Sequence, residues 1–283
     1  MKTLVIGSTS VIGTALANAF CALGEVKTAG RRDADIFFDL SQWDSPVAVS
    51  ESFDVVVLAA ADFGGTTADD LIRAELVNSV GTLAACRLAQ QCSARQVILL
   101  SSIWASHTPQ DHYFSIYSLS KRHAEEVASL FCAQHAIDLT ILRPSQVYDA
   151  QGACRAHQPL LYRIADDAQA GNAITFYGNN DARRNYLHLD DLTAICTRVA
   201  QQRTTGLFSC VHPQSPRLSE IAQAAFAAFS QTGTLRFLSD KADIPDIPAQ
   251  SPDNAFYASI GYWPRIDMNE GFALIRQQRE LGK

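Results

Sequence analysis

Thr3-Leu4-Val5-Ile6-Gly7-Ser8-Thr9-Ser10-Val11-Ile12-Gly13, near the amino end, is the stretch that decides the fold. Leu4, Val5 and Ile6 form a continuous apolar run rather than an alternating one, which suits a strand buried on both faces. The run breaks at Gly7, and a largely apolar, helix-like segment follows from Thr14 to Leu23. Strand, glycine turn and helix in that order suit a cradle for phosphate, the plain alternative being a simple strand-to-helix turn. Glycine lets the chain leave the strand sharply, and a second glycine lets helix and strand approach, so that amide N–H groups at the helix start can meet an anion. Gly7 and Gly13 fill those two roles, with Ser8, Thr9, Ser10, Val11 and Ile12 as the backbone between them.

Working outward, Val26–Ala29, Asp54–Ala60, Gln96–Leu100 and Asp138–Leu142 are further apolar runs rich in β-branched residues, separated by helical patterns. Repeated strand-helix-strand units imply a parallel sheet covered on both faces, so the expected fold is a doubly wound α/β (Rossmann) sheet. After about residue 147 the rhythm becomes irregular and proline-rich, with a strand expected at 173–177. A helical pattern at 190–201, with Asp190 as its cap, and a strand at 206–211 then return to the sheet. The expected division is residues 1–147 and 186–212 for a dinucleotide-binding domain, and 148–185 and 213–283 for a smaller, interleaved substrate lobe.

The 283 residues are enough for one large core with such a lobe attached. An apolar fraction of 47%, with 18% charged, is that of an ordinary globular chain. With 23 basic against 29 acidic residues the net charge is −6, which gives nucleic acid no general attraction. No run reaches membrane-spanning length, and the first apolar run starts too close to Met1 for a secretory leader, so a cytoplasmic location is expected. The seven cysteines contain no C-x-x-C pair and are odd in number, which reads as reduced thiols, and no metal site is expected.

The second strand ends in Thr28-Ala29-Gly30-Arg31-Arg32. An enzyme using NAD would carry a carboxylate there to accept the ribose 2′-hydroxyl, and none is present. A guanidinium instead suits the 2′-phosphate of NADP through charge-assisted hydrogen bonds. Arg31, with Arg32 in support, points to NADP(H) as the preferred cofactor and leaves NAD(H) as the alternative. The plain alternative for the pair is two solvated loop arginines.

Tyr117-Ser118-Leu119-Ser120-Lys121 opens a helical stretch, and i,i+4 spacing puts phenol and ammonium on one face. A neighbouring ammonium favours the phenolate and is expected to lower the phenol's pKa toward the working range of an acid-base group. Upstream, Gln96–Leu100 ends in Ser101-Ser102, which puts a hydroxyl at the edge of the sheet where doubly wound folds bind ligands.

At this point the sequence resembles the extended short-chain dehydrogenase/reductase family, also called the NAD-dependent epimerase/dehydratase family, over nearly its whole length. Ser102, Tyr117 and Lys121 match the family's catalytic trio, and Asn78 resembles its structural and catalytic asparagine. Asp39-Leu40 resembles the adenine-contacting pair, and Ala59-Ala60-Ala61 the loop beneath the cofactor. Arg143-Pro144-Ser145-Gln146-Val147-Tyr148 resembles the segment lining the nicotinamide and substrate, with Pro144 and Val147 on the cofactor side and Gln146 on the substrate side. Arg184-Asn185-Tyr186-Leu187-His188-Leu189-Asp190-Asp191 is similar to a run found in members that act on nucleotide-sugars, and Gly261-Tyr262-Trp263-Pro264-Arg265 to a segment near the family's C-terminus. The resemblance implies a nucleotide-sugar substrate, with Ser102, Ile103, Trp104, Gln146 and Arg184 on its side of the site. His188 and Asp190 read more simply as a packed histidine and a helix cap. Three departures stand out: Ser10 replaces a glycine and brings a hydroxyl near the phosphates, Gln146 replaces an asparagine, and the loop between Ser102 and Tyr117 is short.

The departures narrow the reaction. The family's sugar dehydratases carry Asp-Glu directly after the active-site hydroxyl residue, where this chain has Ile103-Trp104. Its combined epimerase-reductases use a Cys and a His, and Ile103 stands at the Cys position, leaving His107 and His112 as unsupported candidates. What remains is ketone reduction, alcohol oxidation or 4-epimerisation through a transient ketone, and Arg31 tips the balance to reduction of a keto-sugar nucleotide or related carbonyl compound with NADPH and a proton from Tyr117. The alternatives are a nucleotide-sugar 4-epimerase with bound NAD and a non-catalytic NADP-sensing regulator. The resemblance also implies a C2 homodimer built from the helices around 79–91 and from 115 onward.

Overall fold

A computed structural model describes residues 1–45, 47, 49–247 and 251–282. The chain forms two compact units, Met1–Pro144 with Thr193–Ser209 and Asp253–Tyr262, and Ser145–Leu192 with Cys210–Pro252 and Trp263–Lys283.

In the first unit the order is β1 (Lys2–Ile6), α1 (Val11–Cys21), β2 (Glu25–Gly30), β3 (Ile36–Phe37), β4 (Val55–Leu58), α2 (Ala68–Glu75), a π-helical turn at Leu76–Val80, α3 (Gly81–Gln91), β5 (Gln96–Leu100), α4 (Ile116–Gln134) and β6 (Asp138–Pro144). The chain continues through β7 (Gln146–Tyr148), α5 (Pro159–Ala170), β8 (Ile174–Tyr177), β9 (Tyr186–His188), α6 (Leu189–Gln202), β10 (Gly206–Cys210), α7 (Leu218–Ala228), β11 (Leu235–Leu238), α8 (Asn254–Ile260) and α9 (Met268–Leu281). A seven-stranded sheet runs in the order β10-β6-β5-β4-β1-β2-β3. Each pair from β6 to β3 is parallel. This is the doubly wound α/β fold, with β1 next to both β2 and β4.

The continuous apolar runs have the cause expected of them. Leu4, Ile6, Val56, Leu58, Val97 and Leu99 alternate onto one face and pack with Ala84, Leu88, Ala124, Ala128 and Cys132 of α3 and α4. Val5, Val57 and Ile98 point the other way and are buried as well. Both faces of the sheet are therefore covered, and its ligand-binding edge is formed by the carboxyl ends of β1, β4 and β5.

In the second unit β7 pairs in parallel with β9, and β8 with β11. The Tyr186–Leu192 segment belongs to this unit rather than to the dinucleotide domain expected above, because β9 pairs with β7. Asp253–Tyr262 falls instead in the first unit, where the Ile260 carbonyl accepts from Gln202 Nε2 at 3.3 Å. No helix among the described residues is long and apolar enough to cross a membrane.

Candidate functional site

The glycines of the phosphate cradle are fixed by space. Gly7 has φ +88°, and a Cβ there would stand 2.7 Å from both the amide nitrogen and the Cβ of Ala60. A Cβ on Gly13 would stand 2.1 Å from the Gly7 carbonyl oxygen. Strand, turn and helix thus meet too closely for any side chain, which is the geometry a bound pyrophosphate requires, so the residues present fit a dinucleotide. Ser10 is the cap of α1: its Oγ accepts from Gly13 N at 3.0 Å and donates to Gly7 O at 2.9 Å. Its hydroxyl braces the turn itself. Thr14 Oγ1 donates to Ser8 O at 2.7 Å and closes the loop from the other side. Thr9 is exposed, and Val11 and Ile12 are half-buried in the first turn of α1.

Arg31 and Arg32 are exposed just past the end of β2. The nearby carboxylate of Asp35 is turned back onto Thr28, accepting from its backbone N and its Oγ1, each at 2.8 Å. Those hydrogen bonds, with Lys27 adding to them, hold its pKa below the ordinary carboxylate value. Asp39 accepts from Ser41 N at 2.9 Å and from Ser41 Oγ at 2.7 Å, while Leu40 is buried. Ala59 follows β4 and donates its N–H to Ile6 O at 2.9 Å, Ala60 lies under Gly7, and Ala61 completes the loop.

Ser102 follows β5 and caps a short 3₁₀ turn at Ile103–Ser106, its Oγ accepting from Trp104 N at 3.3 Å. It also shares a side-chain hydrogen bond with Tyr117 in the first turn of α4. Lys121, one turn on, is buried and donates from Nζ to Leu100 O at 2.8 Å. The lysine lies 6.0 Å from the centre of the Tyr117 ring. The serine, tyrosine and lysine matched from sequence therefore come together at the end of β5.

Their ionisation departs from expectation. The Tyr117 phenol is pushed up to about 12 by burial, with the Ser102 hydrogen bond opposing, rather than drawn down by the ammonium. Lys121 is drawn down to about 8 by burial, with Glu125 opposing. Desolvation of both groups outweighs their mutual attraction in the protein without ligands.

Glu125 was not singled out in the sequence, although Tyr117, Lys121 and Glu125 repeat at i,i+4. It is buried, accepts from Ser101 Oγ, and takes a fork from Arg143, with Nε to Oε1 at 2.8 Å and Nη2 to Oε2 at 2.5 Å. Two successive turns of α4 thereby grip the two residues that precede Ser102. Asn78, in the π-turn, donates from Nδ2 to Asp62 O at 2.7 Å and to Ser120 Oγ at 2.9 Å, and accepts from Asp62 N at 2.8 Å. Its side chain ties a loop to α4. Ile103 is buried and Trp104 is half-buried, its ring meeting His107 at 4.6 Å and Tyr113 at 5.1 Å. His107 is buried with Nδ1 unpartnered, and burial holds its pKa below the ordinary imidazole value. His112 is exposed.

Pro144 ends β6 in the first unit. In the second, Val147 is buried in β7 and Gln146 Nε2 donates to Gln158 Oε1 at 3.0 Å. Arg184 is buried and donates from Nη1 to Arg183 O at 2.8 Å and to Pro245 O at 2.9 Å, so its guanidinium braces its own unit. His188 Nδ1 accepts from Asp190 N at 3.2 Å, and its ring stands edge-on to Tyr148 at 5.0 Å. Asp191 accepts from Arg265 N at 3.1 Å and Ile266 N at 3.0 Å, which joins the two motifs that contain these residues. Among the described residues no cluster of three or more His, Cys, Asp or Glu is placed to hold a metal.

The sequence model of the NAD dependent epimerase/dehydratase family matches residues 3–208. The protein called Probable GDP-L-fucose synthase 1 from Oryza sativa subsp. japonica is 25% identical over 300 residues, covering 95% of this chain and 89% of its own. Among solved structures, MoeE5 in complex with UDP-glucose and NAD has a TM-score of 0.78 at 18% identity, covering 100% of this chain and 99% of its own. RMD from Pseudomonas aeruginosa complexed with NADPH has a TM-score of 0.75 at 17% identity, covering 99% of each chain.

Proposed function

We propose that this chain, which belongs to the NAD-dependent epimerase/dehydratase family and is an NAD(P)-dependent enzyme of the extended short-chain dehydrogenase/reductase type, reduces a keto-sugar nucleotide or related carbonyl compound with NADPH. The observation that carries this reading is the meeting of Ser102, Tyr117 and Lys121 at the end of β5, with Ile103 and Trp104 where an extra acid-base pair would be needed for dehydration.

The first unit serves the cofactor. Backbone N–H groups between Gly7 and Gly13 hold the pyrophosphate, Asp39 and Leu40 flank the adenine, and Ala59–Ala61 lie under the dinucleotide. Arg31 and Arg32 take the 2′-phosphate, and the Asp35 carboxylate is tied to Thr28 rather than offered to a ribose hydroxyl. The relatives hold NAD in one structure and NADPH in another, so the choice of NADPH rests on those arginines. When bound, the reduced nicotinamide supplies the hydride. Ser102 donates to the substrate's carbonyl oxygen and holds it beside Tyr117, which delivers the proton. Lys121 orients the nicotinamide ribose and keeps positive charge near the phenol below its pKa of about 8. The second unit serves the nucleotide-sugar, and the likeness to a GDP-L-fucose synthase supports that substrate class. We further propose a cytoplasmic C2 homodimer built on α3 and α4, which carry exposed Leu83 and Leu130.

The test is NADPH consumption with a panel of keto-sugar nucleotides. Steady turnover supports reduction. Retained NAD with sugar isomerisation and no net oxidation would favour a 4-epimerase, and NADPH binding without turnover on any member would favour a regulator.

A further inference from the structure

Phe63 is an exposed aromatic side chain whose position has a definite cause. Its ring lies 4.9 Å from that of Tyr117 with 21° between the planes, while 54% of the residue remains open to solvent. An exposed phenylalanine is ordinary by itself. The fastening of its loop is not.

On one side, Asn78 holds the Asp62 backbone at both N–H and C=O and reaches Ser120 on α4 with the same side chain. The Asp62 carboxylate then accepts from Gly64 N at 2.7 Å and from Arg73 Nε at 2.8 Å. On the other side, Gly64 has φ +70° and lies against Ile116, the residue before Tyr117. A Cβ at Gly64 would stand 2.3 Å from Ile116 Cγ2, and one at Gly65 would stand 2.3 Å from Asp70 Oδ2. Any side chain at position 64 would push the loop away from α4.

We propose that residues 62–65 form a strap that lays Phe63 on the Tyr117 ring, making Phe63 a positioning residue that fixes the plane of the phenol and keeps water from one of its faces. Asn78, which the family resemblance marks as catalytic, then acts on Tyr117 through the strap. The groups about the phenol come from several elements. Ser102 comes from the end of β5 and Lys121 from the same helix, with the Glu125–Arg143 pair behind it. Asp62 comes from the strap itself and is paired to Arg73 of α2. Removing the Phe63 ring changes none of these charges, so a change in the phenol's titration would report water reaching the ring.

The proposal rests on Tyr117 being the proton donor, yet its test reads the phenol without turnover, so the two can fail separately. The protein is labelled with 3-fluorotyrosine, whose lowered pKa brings the titration into the range where the fold survives. Fluorine NMR follows it, and Tyr117→Phe assigns the resonance. Phe63→Ala should move the Tyr117 midpoint down by about half a pH unit or more, with circular dichroism unchanged, and Phe63→Trp should leave it near the wild-type value. Asn78→Ala should move it in the same direction, and the double variant should shift little beyond either single one, because both changes undo one strap. An unmoved midpoint in folded Phe63→Ala protein overturns the proposal, and that measurement decides alone should Asn78→Ala not fold. Fully additive shifts would overturn the link to Asn78.

Discussion

Lys121→Met should stabilise the unliganded protein while abolishing its activity. The lysine is buried, and burial draws its pKa from 10.5 to about 8. That difference corresponds to about 3 kcal/mol against the charged form. Methionine fills similar space without the charge but loses the bond to Leu100 O, a loss of about 1 kcal/mol, so the net gain is about 1–3 kcal/mol near pH 7. The folded pKa lies below the unfolded one, so the unfolded chain binds more protons between about 8 and 10.5, and wild-type stability rises with pH across that window. The advantage of methionine is therefore full below about 8 and fades as pH climbs toward 10.5. Urea unfolding at pH 7 and pH 10 measures both. A variant less stable than wild type at pH 7, or an advantage that does not shrink at pH 10, would refute the burial argument.

Arg31→Ala should weaken NADPH by about 1.5–3 kcal/mol and leave NADH nearly untouched; calorimetric titration giving equal losses would remove the basis for preferring NADP. Gly13→Ala should weaken both cofactors together, because its Cβ would stand 2.1 Å from the Gly7 carbonyl and spread the cradle; unchanged NADPH affinity would show that the cradle is not the pyrophosphate site. Light scattering at micromolar concentration should give twice the 30.8 kDa chain mass, and Leu130→Glu on α4 should shift the protein toward monomer. A monomeric wild-type mass would rule out the proposed interface.

The parts of the fold that could be read from sequence were those with a short-range cause. Gly7 and Gly13 follow from backbone proximity, and Leu4, Val5 and Ile6 follow from a strand covered on both faces. The i,i+4 pair of Tyr117 and Lys121 identified a helix face, and the two side chains do converge with Ser102. What escaped depended on partners distant in sequence. Tyr186–Leu192 reads as part of the dinucleotide-binding domain, but β9 pairs with β7, a choice that no local pattern encodes. The upward shift of Tyr117 has no local signature, because charge spacing is visible in a sequence while desolvation is not. Phe63 has only the weak signal of the following Gly64-Gly65, whose purpose becomes apparent once Ile116 is seen against the first and Asp70 against the second. The bonds of Arg184 to the Arg183 and Pro245 carbonyls likewise include a partner distant in sequence that no local pattern encodes.

The most direct test of the account is turnover by Tyr117→Phe with the keto-sugar nucleotide that wild type reduces fastest. The ring packing on Phe63 is preserved, so NADPH affinity should stay within about twofold, while kcat should fall by roughly 10²–10⁴ through loss of the proton donor. Near-normal kcat in Tyr117→Phe would mean that another group delivers the proton and that the mechanism assigned to Ser102, Tyr117 and Lys121 is wrong.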